Sequence, residues 1–230
     1  MSVLAIIQAR VGASRLPGKT LLDLCGVPVV AHVIRRVRAA EAVQDVILAI
    51  PDTPENDSLA ALGATEGARI FRGPEDDVLT RYFRAAQLVS EADVIVRITG
   101  EDVFKDPALI NYAVTGFLVE WAEPRTDGPP SPHYLHLGGE TWPFGCDVDV
   151  FTREALAAAH RGAATAEDRE HVTPWIRREL GAWVLKNGTP HTGRWTLDTP
   201  EDWAFAQEVY GKLYATDPLF GYETMIQAGY

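Results

Sequence analysis

The sequence predicts an α/β protein: a mostly parallel sheet with helices on both faces and a small inserted segment. Three observations predict it. Short runs rich in Val and Ile alternate with amphipathic stretches from residue 2 to residue 121. Those runs are apolar at successive positions, the pattern of strands buried on both faces of a parallel sheet. After Trp121 the alternation gives way to a stretch rich in Pro, Gly, Asp and His, which marks the insertion. Strands that alternate with helices pair in parallel through right-handed crossovers.

Residues 2–8 form the first strand, and residues 29–40 (VVAHVIRRVRAA) a helix with its arginines on one face. Residues 45–50 are a second strand, ended by Pro51. Residues 54–63 are a short helix with Thr53 as a possible N-cap. A third strand at 69–72 precedes a helix at 74–89, whose opening Glu75, Asp76 and Asp77 suit a positive N-terminal end. Residues 93–99 are the fourth strand and 107–121 the helix after it. Within the irregular stretch 123–140 a short strand is expected at 134–137. A strand at 147–151, helices at 152–160 and 166–180, and a last strand at 194–197 lead into a helix at 200–214. The tail 217–230 reads either as a helix packed on the body or as an arm on a partner chain. All 230 residues read as one domain of Rossmann-like type, with the insertion placed at 123–149.

Composition narrows the partners. The formal net charge of −11 argues against nucleic acid, whose phosphates are bound by basic surfaces. No apolar run approaches the roughly 20 residues that span a bilayer, and the N-terminus lacks a leader pattern. A cytoplasmic protein without membrane contact is expected. Cys25 and Cys146 stand far apart without metal-ligand spacing, and both are expected as buried thiols.

Against this acidic background, Arg10, Arg15 and Lys19 fall within ten residues of one another, directly after the first strand. In an open α/β sheet, ligands bind at the carboxyl ends of the strands, where such a loop sits. Gly12, Gly18, Ala13 and Ser14 are small enough to let backbone N–H groups approach phosphate oxygens. The arginines can fork onto those oxygens while Lys19 acts as a point charge. The spacing fits neither a Walker A loop nor a GxGxxG turn.

The run from Ala9 to Leu21, A-R-x-x-x-S-R-L-P-G-K-x-L, resembles the signature loop of the cytidylyltransferases that activate acidic sugars. The likeness is greatest to the spore-coat polysaccharide protein F subgroup, related to the CMP-KDO and CMP-sialic acid synthetases. Further stretches resemble the subgroup in the same order: Arg72-Gly73 with Asp77-Val78-Leu79 and Arg81-Tyr82, then Val96-Arg97-Ile98-Thr99-Gly100. After them come Asp106-Pro107, Pro143-x-Gly145-x-Asp147, Arg169-Glu170-His171-Val172-Thr173 and Leu197-Asp198-Thr199-Pro200-Glu201-Asp202. The resemblance implies a nucleotide-diphospho-sugar transferase-like fold, a homodimer, and transfer of CMP from CTP to a sugar-type acceptor with release of pyrophosphate. It places the nucleotide on Gln8, Ala9, Arg10, Gly12, Ser14, Arg15 and Lys19, and near Arg72 and Asp77. Arg10, Arg15 and Lys19 would carry catalysis.

Such a transfer asks for positioning, cations and a divalent metal rather than a nucleophilic triad. Mg²⁺ usually takes one or two protein carboxylates. Two places can supply them: Glu101 with Asp102 after the fourth strand, and Asp198 after the last. Glu101 stands where relatives carry aspartate, so Asp102 is the alternative ligand. Asp198 also suits a helix N-cap and could serve both ends. Asp147, Asp149, Arg169 and His171 are the acceptor-side candidates, His171 as a base or as a structural residue. Lys105 reads as a surface residue or a substrate contact, and His133, His136, Trp142 and Phe144 as a wall for a sugar face or as core packing. Two other functions compete: transfer from another NTP to a sugar 1-phosphate, and a nucleotide-binding domain with altered catalysis.

Overall fold

The computed structural model describes residues 1–13, 15–122, 133–188, 190–191 and 193–230. The chain opens with β1 (Ser2–Gln8), followed by the cationic loop and a one-turn 3-10 helix at Lys19–Leu21. A hairpin of β2 (Asp23–Leu24) and β3 (Val27–Pro28) precedes α1 (Val29–Arg38). Cys25 and Gly26 make its two-residue turn, both with positive φ, as tight hairpins require. That turn leaves Cys25 exposed, against expectation, whereas Cys146 is buried as foreseen.

Next come β4 (Asp45–Pro51), a 3-10 turn at Pro54–Asn56, α2 (Asp57–Thr65), β5 (Arg69–Gly73), α3 (Val78–Ala86), β6 (Ala92–Thr99) and α4 (Pro107–Ala122). The second half adds β7 (Tyr134–Leu137), β8 (Val148–Thr152), α5 (Arg153–Gly162), α6 (Ala166–His171), α7 (Pro174–Glu179), β9 (Trp183–Leu185), α8 (Pro200–Leu213) and α9 (Tyr222–Gln227).

Among the described residues seven strands form one sheet in the order β5-β4-β1-β6-β8-β7-β9. The pairs β5–β4, β4–β1 and β1–β6 are parallel. β8 then runs antiparallel to both β6 and β7, and β9 is parallel to β7. Helices cover both faces. Val29, Val33 and Val37 of α1, Ile110 and Phe117 of α4 and Val209 of α8 pack on one face with Ile7, Leu48 and Val96. Tyr82 of α3, Leu156 of α5 and Ile176 of α7 pack on the other with Leu4, Ile6 and Ile95. The mostly parallel sheet with helices on both faces is therefore as the sequence predicts.

Four local expectations change. The helix foreseen at 74–89 begins only at Val78, because Asp77 caps it: its Oδ1 accepts the Thr80 N–H at 2.9 Å and its Oδ2 the Thr80 hydroxyl at 2.8 Å. The helix foreseen at 166–180 is two, broken where Val172 takes a φ of 70° and Thr173–Pro174 restarts the chain. The strand foreseen at 194–197 is a single bridge between Arg194 and Phe144. β9 has no counterpart in the sequence reading, its three residues being too short to show a period. Most of the expected insertion, residues 123–132, lies outside the described residues. The tail packs on the body: Phe220 and Met225 are buried, and Asp106 Oδ2 accepts the Tyr222 N–H at 2.8 Å. Phe220 also accepts a hydrogen bond from the buried Arg36 guanidinium at 2.8 Å and stacks under it at 4.6 Å.

Candidate active site

The carboxyl ends of β1 and β6 lie side by side, with Gln8 opposite Thr99. Gly100 N donates to Gln8 O at 2.7 Å. A Cβ at Gly100 would stand 2.6 Å from that of Ala9, so glycine after Thr99 is what lets the two strand ends close together. A cleft of about 370 Å³ opens above them, lined among others by Gln8, Ala9, Arg10, Ala13, Arg15, Lys19, Arg97, Glu101, His171 and Asp198.

Lys19 sits at the floor. Its buried ammonium touches Asp198 Oδ1 at 2.9 Å and Glu101 Oε1 at 3.2 Å, and donates to Leu197 O at 2.9 Å. Arg15 reaches the same Asp198 oxygen at 3.2 Å from the exposed rim. The loop is tied at both ends: Thr20 Oγ1 donates to Arg10 O at 3.2 Å, and Val11 N to Asn56 Oδ1 at 3.0 Å. Burial pushes the Glu101 carboxyl above the usual carboxylate range, and the neighbouring Lys19 charge pulls against that.

Asp198 does not cap the following helix. Thr199 is the N-cap of α8 in a capping box with Asp202, whose Oδ2 also accepts the Asp198 N–H at 2.8 Å. The Asp198 carboxylate is thereby left for the cleft. Gly145 fixes the approach of this segment. It holds a φ of 106°, and a Cβ there would meet Trp195 O at 2.1 Å, so no other residue lets the 143–146 turn pack on the strand-like stretch leading to Asp198.

The remaining expected site residues divide. Gln8, Ala9, Arg10, Arg15 and Lys19 line the cleft with Glu101, Asp198 and His171; Gly12 does not. Ser14 lies outside the described residues. Asp102 turns inward: it is buried, with Oδ2 3.2 Å from the Lys105 ammonium. Lys105 is neither on the surface nor at the cleft; it is buried, and its ammonium also donates to the carbonyls of Gly145 and Asp147. Asp147 stands off the cleft lining. Arg72 binds Asp57 at 2.5 Å behind the outer strand, and Asp77 is occupied as a helix cap. Arg169 clamps α5 to α6, donating to the carbonyls of Ala163 at 3.0 Å and His160 at 3.2 Å. The four rings read as a sugar wall or as core packing are absent from the lining: Trp142 is buried and donates to Leu185 O at 3.0 Å, and Phe144 lies under the Arg194 guanidinium, 5.1 Å away.

Glu75, Asp76, Arg81, Arg97 and Glu170, which the sequence reading noted without assigning them to the site, also line the cleft. Arg81 holds the turn before α3 through the carbonyls of Pro74 at 2.7 Å and Glu75 at 3.2 Å. Arg97 pairs with the buried Asp149, Nη1 to Oδ2 at 3.1 Å. Asp149 also accepts from Tyr134 at 2.6 Å and from His136 at 2.8 Å, both on Oδ1. Burial alone would raise the Asp149 carboxyl; the His136 hydrogen bond and the Arg97 charge overcome it and hold the group well below the usual range. The signal for Arg97 was in the sequence: a charge inside the otherwise apolar strand Val94–Ile98.

Counting the described residues of the lining, five are cations (Arg10, Arg15, Lys19, Arg81, Arg97) and five are carboxylates (Glu75, Asp76, Glu101, Glu170, Asp198). No group of three or more His, Cys, Asp or Glu side chains among the described residues is arranged to hold a metal by itself, and no described helix is long and apolar enough to cross a membrane.

Comparison with known proteins agrees with this geometry. A family model described as cytidylyltransferase matches residues 4–196. The spore coat polysaccharide biosynthesis protein SpsF of Bacillus subtilis is 28% identical over 221 residues, 91% of this chain and 87% of that protein. A 3-deoxy-manno-octulosonate cytidylyltransferase of Trichlorobacter lovleyi is 35% identical over 118 residues; those are 51% of this chain and 46% of that enzyme, about half of each. The structure of a cytidylyltransferase from Leptospira borgpetersenii superposes with a TM-score of 0.88 at 25% identity, covering 99% of this chain and 93% of that one.

Proposed function

The chain belongs to the cytidylyltransferase family, and from that premise we propose that it transfers CMP from CTP to a sugar or sugar-acid acceptor, releasing pyrophosphate. The observation that carries this reading is the Lys19 ammonium bridging Glu101 and Asp198 beneath a loop of exposed arginines. Arg10 and Arg15 would neutralise the departing pyrophosphate, while Lys19, whose three N–H donors are taken by Leu197 O, Asp198 and Glu101, would hold those two carboxylates in place beneath it. Cations fixed in advance lower the barrier because they need not reorganise as charge moves. Gln8 lines the cleft, and reading of cytosine is left to the backbone of residues 8–10 at its edge.

A divalent metal, Mg²⁺ by its preference for oxygen ligands, fits this chain. The five cations of the lining are balanced by five carboxylates, so polyanionic CTP meets no excess positive charge unless a cation accompanies it. Glu101 and Asp198 are the carboxylates that would hold that metal; Asp102, salt-bridged to Lys105, would hold Glu101's strand end in place. When bound, the metal supplies charge neutralisation at the phosphates. A cytoplasmic homodimer is part of the same proposal.

The test is pyrophosphate release with Mg²⁺, each of the four NTPs in turn, and a panel of sugar acids and sugars. Turnover with CTP alone is the expected result. Faster turnover with UTP or GTP on a sugar 1-phosphate overturns the choice of nucleotide, and failure of every NTP to raise the melting temperature overturns the enzyme reading.

A further inference from the structure

Lys105 is buried to 1% exposure, yet it lies outside the cleft lining. All three of its N–H donors are taken. The ammonium stands 3.2 Å from Asp102 Oδ2, donates to Gly145 O at 3.2 Å and donates also to Asp147 O. An ammonium has no fourth donor, so nothing of it is left for a substrate.

Those acceptors belong to two stretches of chain that are distant in sequence. Asp102 sits in the turn after β6, next to Glu101, and Lys105 N closes that turn on Asp102 O at 2.9 Å. Gly145 and Asp147 belong to the turn before β8. That second turn is joined to the segment leading to Asp198. Phe144 N donates to Gly193 O at 2.8 Å and Trp195 N to Phe144 O at 2.7 Å, while Gly145 packs on Trp195 O. The first turn is braced from behind, where the Tyr210 hydroxyl donates to Val103 O at 2.6 Å and Arg36 to Lys105 O at 3.4 Å. One ammonium thus stands between the stretch that carries Glu101 and the stretch that leads to Asp198.

A buried ion pair is a poor source of stability. Taking two ions out of water is costly, and apolar side chains of similar volume often serve a fold as well or better. Apolar packing does not supply direction: repacked cores lose rigidity before they lose stability. Charge-assisted hydrogen bonds fix both distance and angle.

We propose that Lys105 is a positioning residue of the metal site, whose ammonium sets the spacing of the Glu101 and Asp198 carboxylates by bridging the turn after β6 to the turn before β8. The inference rests on the reading of those two carboxylates as metal ligands. It deepens that reading by assigning their spacing to a group whose hydrogen bonds go to neither. Lys19 holds the two carboxylates by their oxygens; Lys105 holds the backbones behind them. Mg²⁺ demands near-ideal geometry of its oxygens, so slack between the two turns appears as lost metal affinity.

The experiment compares wild type, Lys105→Met and the double variant Asp102→Asn/Lys105→Met. Thermal melts are read beside Mn²⁺ affinity, titrated by electron paramagnetic resonance with CTP present and no acceptor, at a temperature where the proteins are folded. Lys105→Met alone should melt well below wild type, because Asp102 is left buried and unpaired. The double variant removes both charges and keeps an acceptor for the Thr99 N–H, which Asp102 Oδ2 accepts at 3.3 Å. It should regain most of the lost melting temperature while binding Mn²⁺ about tenfold more weakly than wild type, the scale on which supports of metal ligands act. A purely structural role would restore both together. Mn²⁺ affinity within about threefold of wild type in the double variant overturns the proposal. Failure of the double variant to fold overturns it too, since the fold itself would then require the ammonium. Wild type that binds no Mn²⁺ with CTP is instead the failure of the metal-assisted reading beneath it.

Discussion

The loop at residues 9–19 and the row Arg97–Asp149–His136 meet the same cleft, but they hold their charges in opposite ways. The loop leaves Arg10 and Arg15 exposed and buries only Lys19, whose countercharge comes from Glu101 and from Asp198, far along the chain. The row pairs its charges by strand register, sealed under two helices, with Asp149 satisfied by three donors. Exposed charge waits for a ligand; paired and buried charge is already part of the fold. The same cleft thus has one wall whose electrostatics serve binding and another whose electrostatics must first serve stability.

That contrast can be broken by substitution. The largest effect is expected at the loop: Lys19→Met should lower CTP turnover roughly 10³-fold, about 4 kcal/mol of barrier, in a protein that still melts cooperatively. Turnover within tenfold of wild type would mean that the loop wall does not carry the chemistry. In the row the cost should appear in stability instead. Asp149→Asn is expected to destabilise the protein by about 3 kcal/mol, since it breaks a buried pair and leaves Arg97 uncompensated. The sign with pH follows from the lowered Asp149 pKa. The native carboxylate binds its proton less readily than the unfolded one, so its stabilisation is complete above the unfolded value of about 3.9. It is lost as pH falls through that value towards the lower native one. Denaturant melts of wild type and variant should differ by a constant amount from neutral pH to about pH 5, and the gap should shrink steadily as pH falls below about 4. A gap that persists in acid would show that shape rather than charge holds the row.

The smallest effect concerns Asp77, whose sequence neighbourhood resembles a nucleotide contact but whose oxygens cap α3. Asp77→Ala should cost about 1 kcal/mol of stability and leave CTP affinity, measured by calorimetry, within about twofold. A tenfold loss of affinity would extend the loop wall to the third strand and sharpen the comparison in the other direction.

Legibility followed the same division. The parallel half could be read because continuous apolar strands and the glycine-rich cationic loop leave local marks, and Lys19, Glu101 and Asp198 could be brought to one edge by topology alone. The helix boundary at Val78 was misplaced because three acids look like a first turn when only the last of them caps. The break at Val172 left no mark, since a β-branched residue gives no warning of a positive φ. Asp102 and Lys105 were ambiguous because two opposite charges three residues apart read the same whether exposed or paired inside. The Arg97–Asp149 pair depended on a partner 52 residues away, and its register is a property of the folded sheet.

The Lys19–Asp198 contact joins residues 179 positions apart in a chain of 230. During synthesis from the N-terminus, the strands on either side of the loop can pair long before residue 198 exists. Until residue 198 has been made, only Glu101 of these two carboxylates is available to Lys19; the second lies in the segment held by the capping box of Thr199 and Asp202 and by the packing of Gly145 on Trp195. Closing so long a loop is slow compared with local pairing. The ion-pair network around Lys19 is therefore completed only after the segment that carries Asp198 has been made and seated.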